Sequence, residues 1–341
     1  MNVRLAALAL RRVAPWWLAL ALMLVGVLAA SSASSSEPAA SALARQGVWS
    51  VLALLATLTF VPRAAGLAAR FSSLEFGWVG AQPVSRARWF GACLAGSVTA
   101  TLAVCALAAA LAESAARFDG AALREVGLAA VPERGVLDGR EPVRWSIDAS
   151  ADETLRVELL FVGIEPTAEV EWRARRGVEE RSVRATLSRP QALELAVPPG
   201  IGTVELELER TSGGALVLLS GERLQRLTPC ESSRSASLAL ACHALLAWTA
   251  LMALALGLAP WIGTRLAAAL ALVATLAAWL PGDTFAADVS PVGVLVRALD
   301  VAGRGLVPGV PSLAELACTA LCALAGLALF VRGLGHRRGG A

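Results

Sequence analysis

GWVGAQPVSRARWFGACLAGS, residues 77–97, decides how the rest of the chain is read. It lies between two apolar runs and places Pro83, Ser85, Arg86 and Arg88 together, a cluster that a membrane-spanning helix rejects. From Trp89 to Ala112 the sequence then stays apolar. That is long enough to cross a bilayer core, which takes roughly 20 residues of helix. The arginines therefore mark a loop between two spans, and the side they occupy sets the orientation of everything else.

The 341 residues are 56% hydrophobic and only 17% charged, with a mean hydropathy of +0.63. A soluble domain is nearer a quarter charged, so the composition is that of a membrane protein. All thirty basic residues are arginine, a bias of composition that carries no chemistry. Residues 113–236 hold 16 Arg against 21 acids, a balance of −5. The remainder holds 14 Arg against 6 acids, or +8, so the net +3 conceals an acidic-leaning insert in a basic body. With no basic stripe interleaved with aromatics, nucleic acid is not an expected partner.

Six spans are predicted, at about 13–31, 47–62, 89–112, 237–259, 262–280 and 313–331. The second is the shortest, and its upstream boundary is expected to reach into the Ser/Ala-rich stretch before it. Trp16, Trp17, Trp49, Trp89, Trp261 and Trp279 lie at or near segment ends, where amphipathic rings favour the interface. With the N-terminus inside, eleven arginines fall in the cytoplasm: Arg4, Arg11, Arg12, Arg63, Arg70, Arg86, Arg88, Arg265, Arg332, Arg337 and Arg338. Only Glu75 opposes them. The short outer loops carry Arg45, Arg297 and Arg304 beside Glu37, Asp283, Asp288 and Asp300. The positive-inside bias thus puts both termini in the cytoplasm and 113–236 outside, in a multi-pass protein of the cytoplasmic (inner) membrane. The N-terminal arginines, apolar core and LAASSA also fit a cleavable signal peptide, whose removal would delete one span without inverting the others.

Three parts follow: an N-terminal membrane half (1–112), an extracytoplasmic insert (113–236) and a C-terminal membrane half (237–341). In the insert, continuous apolar runs give way to alternation. PTAEVEWRARR puts Ala168, Val170, Trp172 and Ala174 on one face, and Glu169, Glu171, Arg173 and Arg175 on the other. TVELELER, VRWSID, LRVELLFV, RSVRATL and QALELAV repeat the pattern, divided by RPQ and VPPGIG. Period-2 runs between Gly/Pro signals predict antiparallel strands with one wet face. ALVLLSGERL reads as a buried strand and a turn. Seven or so strands in this length predict an all-β sandwich, of jelly-roll or immunoglobulin-like kind. Its Glu/Arg face reads as solvated, with a carbohydrate- or lipid-head-group-binding role as the sharper alternative. Trp145 and Trp172 fall in the inward phase and read as core.

Chemistry-bearing residues are sparse. Of six cysteines only Cys230 falls outside, so no disulfide forms within the insert. Cys318 and Cys322, at i and i+4, share a helix face without further ligands, so no metal is expected. His243 lies within the fourth span, where an ionisable residue is worth noting. A haem ligand is one reading, and a neutral, hydrogen-bonded interior histidine is the favoured one. Ser312 and Glu315, after Pro311, match the S-x-x-E capping box, in which both side chains satisfy orphan backbone N–H groups of a helix start. A proton-relay role for Glu315 is the alternative. No GxSxG, HExxH or GxxxxGK[ST] motif occurs, so neither catalysis nor a cofactor is expected.

Residues 63–88 form the cytoplasmic loop. It begins amphipathic, passes through LEFGWVGA and ends at Pro83-Val84-Ser85-Arg86, which predicts a helix along the inner leaflet and a proline turn into the next span. Glu75, Pro83, Val84, Ser85, Arg86 and Gly91 follow in an order that resembles the permease subunits of ABC-2 type ABC transporters. The amphipathic start MNVRLAALALRR and six spans with both termini inside are similar to that family as well. The resemblance covers about two-thirds of the chain. It implies a loop docked on a separate ATP-hydrolysing subunit through Glu75, Pro83, Ser85, Arg86 and Arg88, with a second permease subunit completing the pathway. It also implies a short re-entrant helix pair in 281–311. Two features are this chain's own: the β-insert between spans three and four, and Ala92 where the family commonly has lysine. The other reading is a non-transporting membrane scaffold that presents its β-domain to an envelope partner.

Overall fold

The computed structural model describes residues 38–71, 85–116, 122–130, 136–137, 141–162, 167–188, 191–200, 202–213, 216–278 and 290–339. They belong to two compact units: Met1–Asp119 with Arg234–Ala341, and Gly120–Ser233.

The first unit is helical: α1 (Pro38–Phe71), α2 (Arg86–Ala115), α3 (Ser235–Ile262), α4 (Thr264–Ala278), α5 (Pro291–Gly303) and α6 (Leu313–Gly339). Four of these contain stretches long and apolar enough to cross a membrane: Ser41–Ala68, Arg86–Ala115, Ser235–Ile262 and Leu313–Gly333. The span expected at 13–31 lies outside the described residues. The one expected at 262–280 is α4, an apolar helix of 15 residues. At 1.5 Å per residue its described part covers about 22 Å of a core of about 30 Å, and residues 279–289 lie outside the described residues. Gly263, at φ 84°, separates it from α3.

α1 differs from its prediction at its downstream end. It begins upstream in the Ser/Ala-rich stretch, as expected, but also runs through Pro62 to Phe71 without a break. The first third of the expected cytoplasmic loop is thus an extension of the spanning helix rather than a separate helix on the leaflet. Residues 72–84, with Glu75 and Pro83, lie outside the described residues. Of the 281–311 segment, α5 is the described helix. Val292, Leu295, Ala298, Leu299 and Ala302 form its buried stripe at helical spacing.

Helix α3 is central and packs on each of the other five. Contact with α6 is closest at Gly257 and Gly326, which let the two backbones touch, as small residues do between membrane helices. Phe60 of α1 meets Trp248 of α3 edge-on at 6.3 Å, and Phe90 of α2 meets Phe330 of α6 at 5.6 Å. Trp49 and Trp89 are buried in this core rather than standing at an interface, a correction to the expected aromatic belt. Hydroxyls within the helices bond to their own carbonyls one turn back: Thr57 to Ala53, Ser97 to Cys93, Thr101 to Ser97 and Thr249 to Leu245. That pattern lets polar side chains sit in an apolar helix without an outside partner.

The second unit holds strands β1 (Ala122–Ala130), β2 (Val136–Leu137), β3 (Val143–Asp148), β4 (Thr154–Val162), β5 (Ala168–Arg176), β6 (Glu179–Leu187), β7 (Gln191–Ala196), β8 (Thr203–Ser212) and β9 (Leu216–Cys230). One antiparallel sheet has the order β1-β9-β4-β7, with β2 beside β9, and the other β3-β8-β5-β6. β1 pairs with β9, β3 with β8, β4 with β7 and β5 with β6. Those are the rungs of one long two-stranded ribbon. Rolling it up adds β4·β9 and β5·β8, which is the jelly-roll arrangement of two four-stranded sheets. The immunoglobulin-like alternative is thereby removed. Leu155, Val157, Leu193 and Leu195 of one sheet and Val170, Trp172, Leu206 and Leu208 of the other share a single core. The reading of ALVLLSGERL is corrected: its described residues, Leu216 to Leu224, are no strand-and-turn but part of a continuous 15-residue strand paired on both edges. The β5–β6 turn is Gly177-Val178, with Gly177 at φ 60° in the position where a two-residue hairpin demands φ > 0.

Candidate functional site

At the start of α2, Ser85 is extended (φ −64°, ψ 148°) and its hydroxyl accepts the Arg88 N–H at 3.3 Å. Ser85 is therefore the N-cap that begins the new helix. Arg86 donates from Nη1 to the Val331 carbonyl of α6 at 3.1 Å, while Arg88 is exposed. Of the residues expected to dock an ATPase, then, Arg86 holds a helix–helix contact and Arg88 points its charge outward. Trp261 at the end of α3 donates from Nε1 to the Leu329 carbonyl at 2.8 Å, so α2 and α3 both grip the same turn of α6.

The opposite helix ends carry two buried polar ties. Arg45 of α1 forms a two-pronged ion pair with Glu113 of α2, Nε and Nη2 each at 2.9 Å. Ser237 of α3 hydrogen-bonds the same carboxylate. Arg45 is only 4% exposed, so the carboxylate is what makes its burial tolerable. The second tie joins α3 to α6. His243 Nδ1 lies 3.0 Å from both carboxylate oxygens of Glu315, and Nε2 lies 3.0 Å from the Gly309 carbonyl. Both side chains are buried, Glu315 completely.

This geometry corrects half of the capping box. Ser312 Oγ does accept the Glu315 N–H, at 3.1 Å, as an N-cap should. The Glu315 side chain, however, goes to His243 instead of returning to the cap. A buried imidazole is the stronger attraction for a buried carboxylate, because neither has another way to replace lost water. His243 is hydrogen-bonded in the interior, as its favoured reading held. One turn beyond Glu315, Thr319 is buried and its hydroxyl has no hydrogen-bond partner among the described residues. No group of three or more metal-ligating side chains occurs among the described residues, and Cys93, Cys105, Cys242, Cys318 and Cys322 form no disulfide.

On the β3-β8-β5-β6 sheet, the expected wet face is a lattice of opposite charges bordering a groove of about 610 Å³, lined in part by Arg144, Ser146, Arg175, Glu180 and Glu205. Arg144 bonds Glu207 at 3.1 Å across β3–β8. Glu171 stands directly opposite Glu209, a like-charge pair. It is nonetheless buried, because Arg173 at 2.6 Å and Arg184 at 3.1 Å cover its two oxygens. Hydrogen bonds from Arg173 first and Arg184 second hold its carboxyl down to about 2, against a slight opposing effect of burial.

The ties at Arg45 and His243 were invisible as pairs. Their partners lie 68 and 72 positions away, and no spacing rule spans that distance. The one available signal was a charge near the end of more than one apolar run. The chain matches no protein-family model, and no curated protein matches it.

Proposed function

We propose that this chain is the membrane subunit of an ATP-driven transporter of the ABC-2 permease type. It works with a separate ATP-hydrolysing subunit and a second permease subunit in the cytoplasmic membrane. In this reading both termini are cytoplasmic, six spans cross the bilayer and the jelly roll faces outward. One observation carries it: residues flanking the 72–84 loop are mechanically tied to three helices. On one side of residues 72–84, α1 runs on without a break to Phe71; on the other, Ser85 caps α2, and Arg86 ties α2 to α6 at Val331. A partner pushing on this elbow would shift α1, α2 and α6 together, which is what an external motor needs.

The scaffold reading is favoured by the charged groove on the jelly roll, since a passive anchor would carry such a face for an envelope ligand. Purification in mild detergent separates the two. A stoichiometric ATPase is expected to accompany the wild-type chain and to be lost from Arg88→Glu, whose side chain is exposed. Arg86→Glu is the poorer probe, because it also breaks the contact with α6. Absence of any nucleotide-hydrolysing partner, or an association indifferent to Arg88→Glu, sinks the transporter reading.

A further inference from the structure

We infer that His243, Glu315 and the Gly309 carbonyl form a proton-binding site, and that the bound proton holds the segment between α5 and α6 against α3. Each imidazole nitrogen faces an acceptor at 3.0 Å: the carboxylate on one side, a peptide oxygen on the other. Both contacts are hydrogen bonds only while ring and carboxylate together carry two protons. One sits on Nε2 and is donated to Gly309. The other lies in the Nδ1–Glu315 contact, on either partner, and the pair is neutral overall in both arrangements.

Removing one proton to a solvent base leaves a single N–H for two acceptors. Charge-assisted bonds are about twice as strong as neutral ones, so the remaining N–H stays with Glu315. Nε2 then turns a lone pair toward the Gly309 oxygen, and an attractive contact becomes a repulsive one. Gly309 lies between Pro308 and Pro311 in backbone that is neither helix nor strand. On either side of it, Leu306 N–H bonds Val301 and Leu316 N–H bonds Ser312, and Val307 takes part in a single β-bridge. His243 reaches it from α3. Irregular backbone near a membrane needs protein or water to satisfy its carbonyls, so loss of the proton frees this segment to seek water.

Titratable or charged groups on the elements packed on α3 include Arg45 and Arg63 on α1, Arg86, Arg88, Cys93, Cys105 and Glu113 on α2, Arg265 on α4, Arg297 and Asp300 on α5, and Cys318, Cys322 and Arg332 on α6, with Cys242 on α3 itself. Arg45 is taken up by Glu113, and Arg304 closes on Asp300 at 2.7 Å. The site stands whether or not the chain is a transporter.

Hydrogen exchange read by mass spectrometry on the full chain in lipid nanodiscs tests this, with rates normalised to intrinsic exchange between about pH 5 and about pH 10. A peptide covering 306–316 is expected to lose about tenfold in protection as the pair gives up its proton, the size of one buried hydrogen bond. Glu315→Gln should hold its protection flat across the range, because the amide can donate to Nδ1 while Nε2–H stays with Gly309. His243→Gln removes the imidazole and both of its contacts and should also be flat, at whatever protection it has. A flat wild type, or a Glu315→Gln response equal to that of the wild type, overturns the inference.

Discussion

Replacing Gly326 by alanine should loosen α6 from α3 by an amount the structure allows one to work out. A Cβ at Gly326 would stand 2.7 Å from the Ala253 carbonyl carbon, whereas ordinary contact begins at 3.4 Å. The obstacle is backbone, which has no rotamer to turn aside, and the Ala253 carbonyl oxygen is nearer still, so the helices must part by at least about 0.7 Å. One turn further on, the Trp261–Leu329 hydrogen bond at 2.8 Å would stretch to about 3.5 Å, beyond useful length. Overpacking of this kind costs about 1–3 kcal/mol, and the lost bond about 1 kcal/mol more. Alanine's better helix propensity returns about 1 kcal/mol, so the net expectation is about 1–3 kcal/mol destabilising. Gly91 in α2 is the matched control, because a Cβ there meets nothing within 4 Å. Gly91→Ala should be neutral or slightly stabilising. Unfolding in mixed detergent micelles, followed by tryptophan fluorescence, measures both. The reasoning fails if Gly326→Ala is as stable as the wild type, or if the two substitutions shift stability in the same direction.

Two further outcomes are expected. Arg45→Ala leaves the Glu113 carboxylate part-buried without its guanidinium and should cost about 3–5 kcal/mol, while Arg45→Ala combined with Glu113→Ala should cost less than the sum of the singles. A double-mutant cycle in the same unfolding assay checks this, and strict additivity would contradict the pairing. In the jelly roll, the carboxyl of Glu171 is held at about 2 against an ordinary 4.5. Its contribution to stability is therefore complete above about pH 4.5 and fades as the pH falls toward 2. Both covering arginines are open to solvent, 35% and 76% exposed, so the gain is modest. Removing Arg173 and Arg184 together should raise the pH at which Glu171 titrates, as read by NMR of the labelled carboxylate; an unmoved titration would rule out their role.

Several elements were legible because their signals are local. Apolar runs predicted the helices of the first unit, and alternation placed β3 through β8 within a residue or two. The Ser312 cap was readable for the same reason, since its donor is three residues away. Misreadings came where a distant group outbid the local rule. Glu315 was placed on a cap and went to His243, and Glu171, in the wet phase, is buried under two arginines. Trp49 and Trp89, near segment ends, are drawn into the helical core instead of the interface.

What the amino-acid sequence determined by itself was the partition into a helical body and a β-insert, together with the face each strand turns inward. Both follow from hydrophobic periodicity, which is a property of neighbours along the chain. The tertiary structure alone decided that the strands roll into a jelly roll, that α4 is turned off from α3 at Gly263, and that buried charges meet in pairs at one end of the helices. Each of those depends on contacts between residues tens of positions apart. A buried charge takes whichever partner the fold brings within 3 Å, and that partner leaves no mark on the residues beside it.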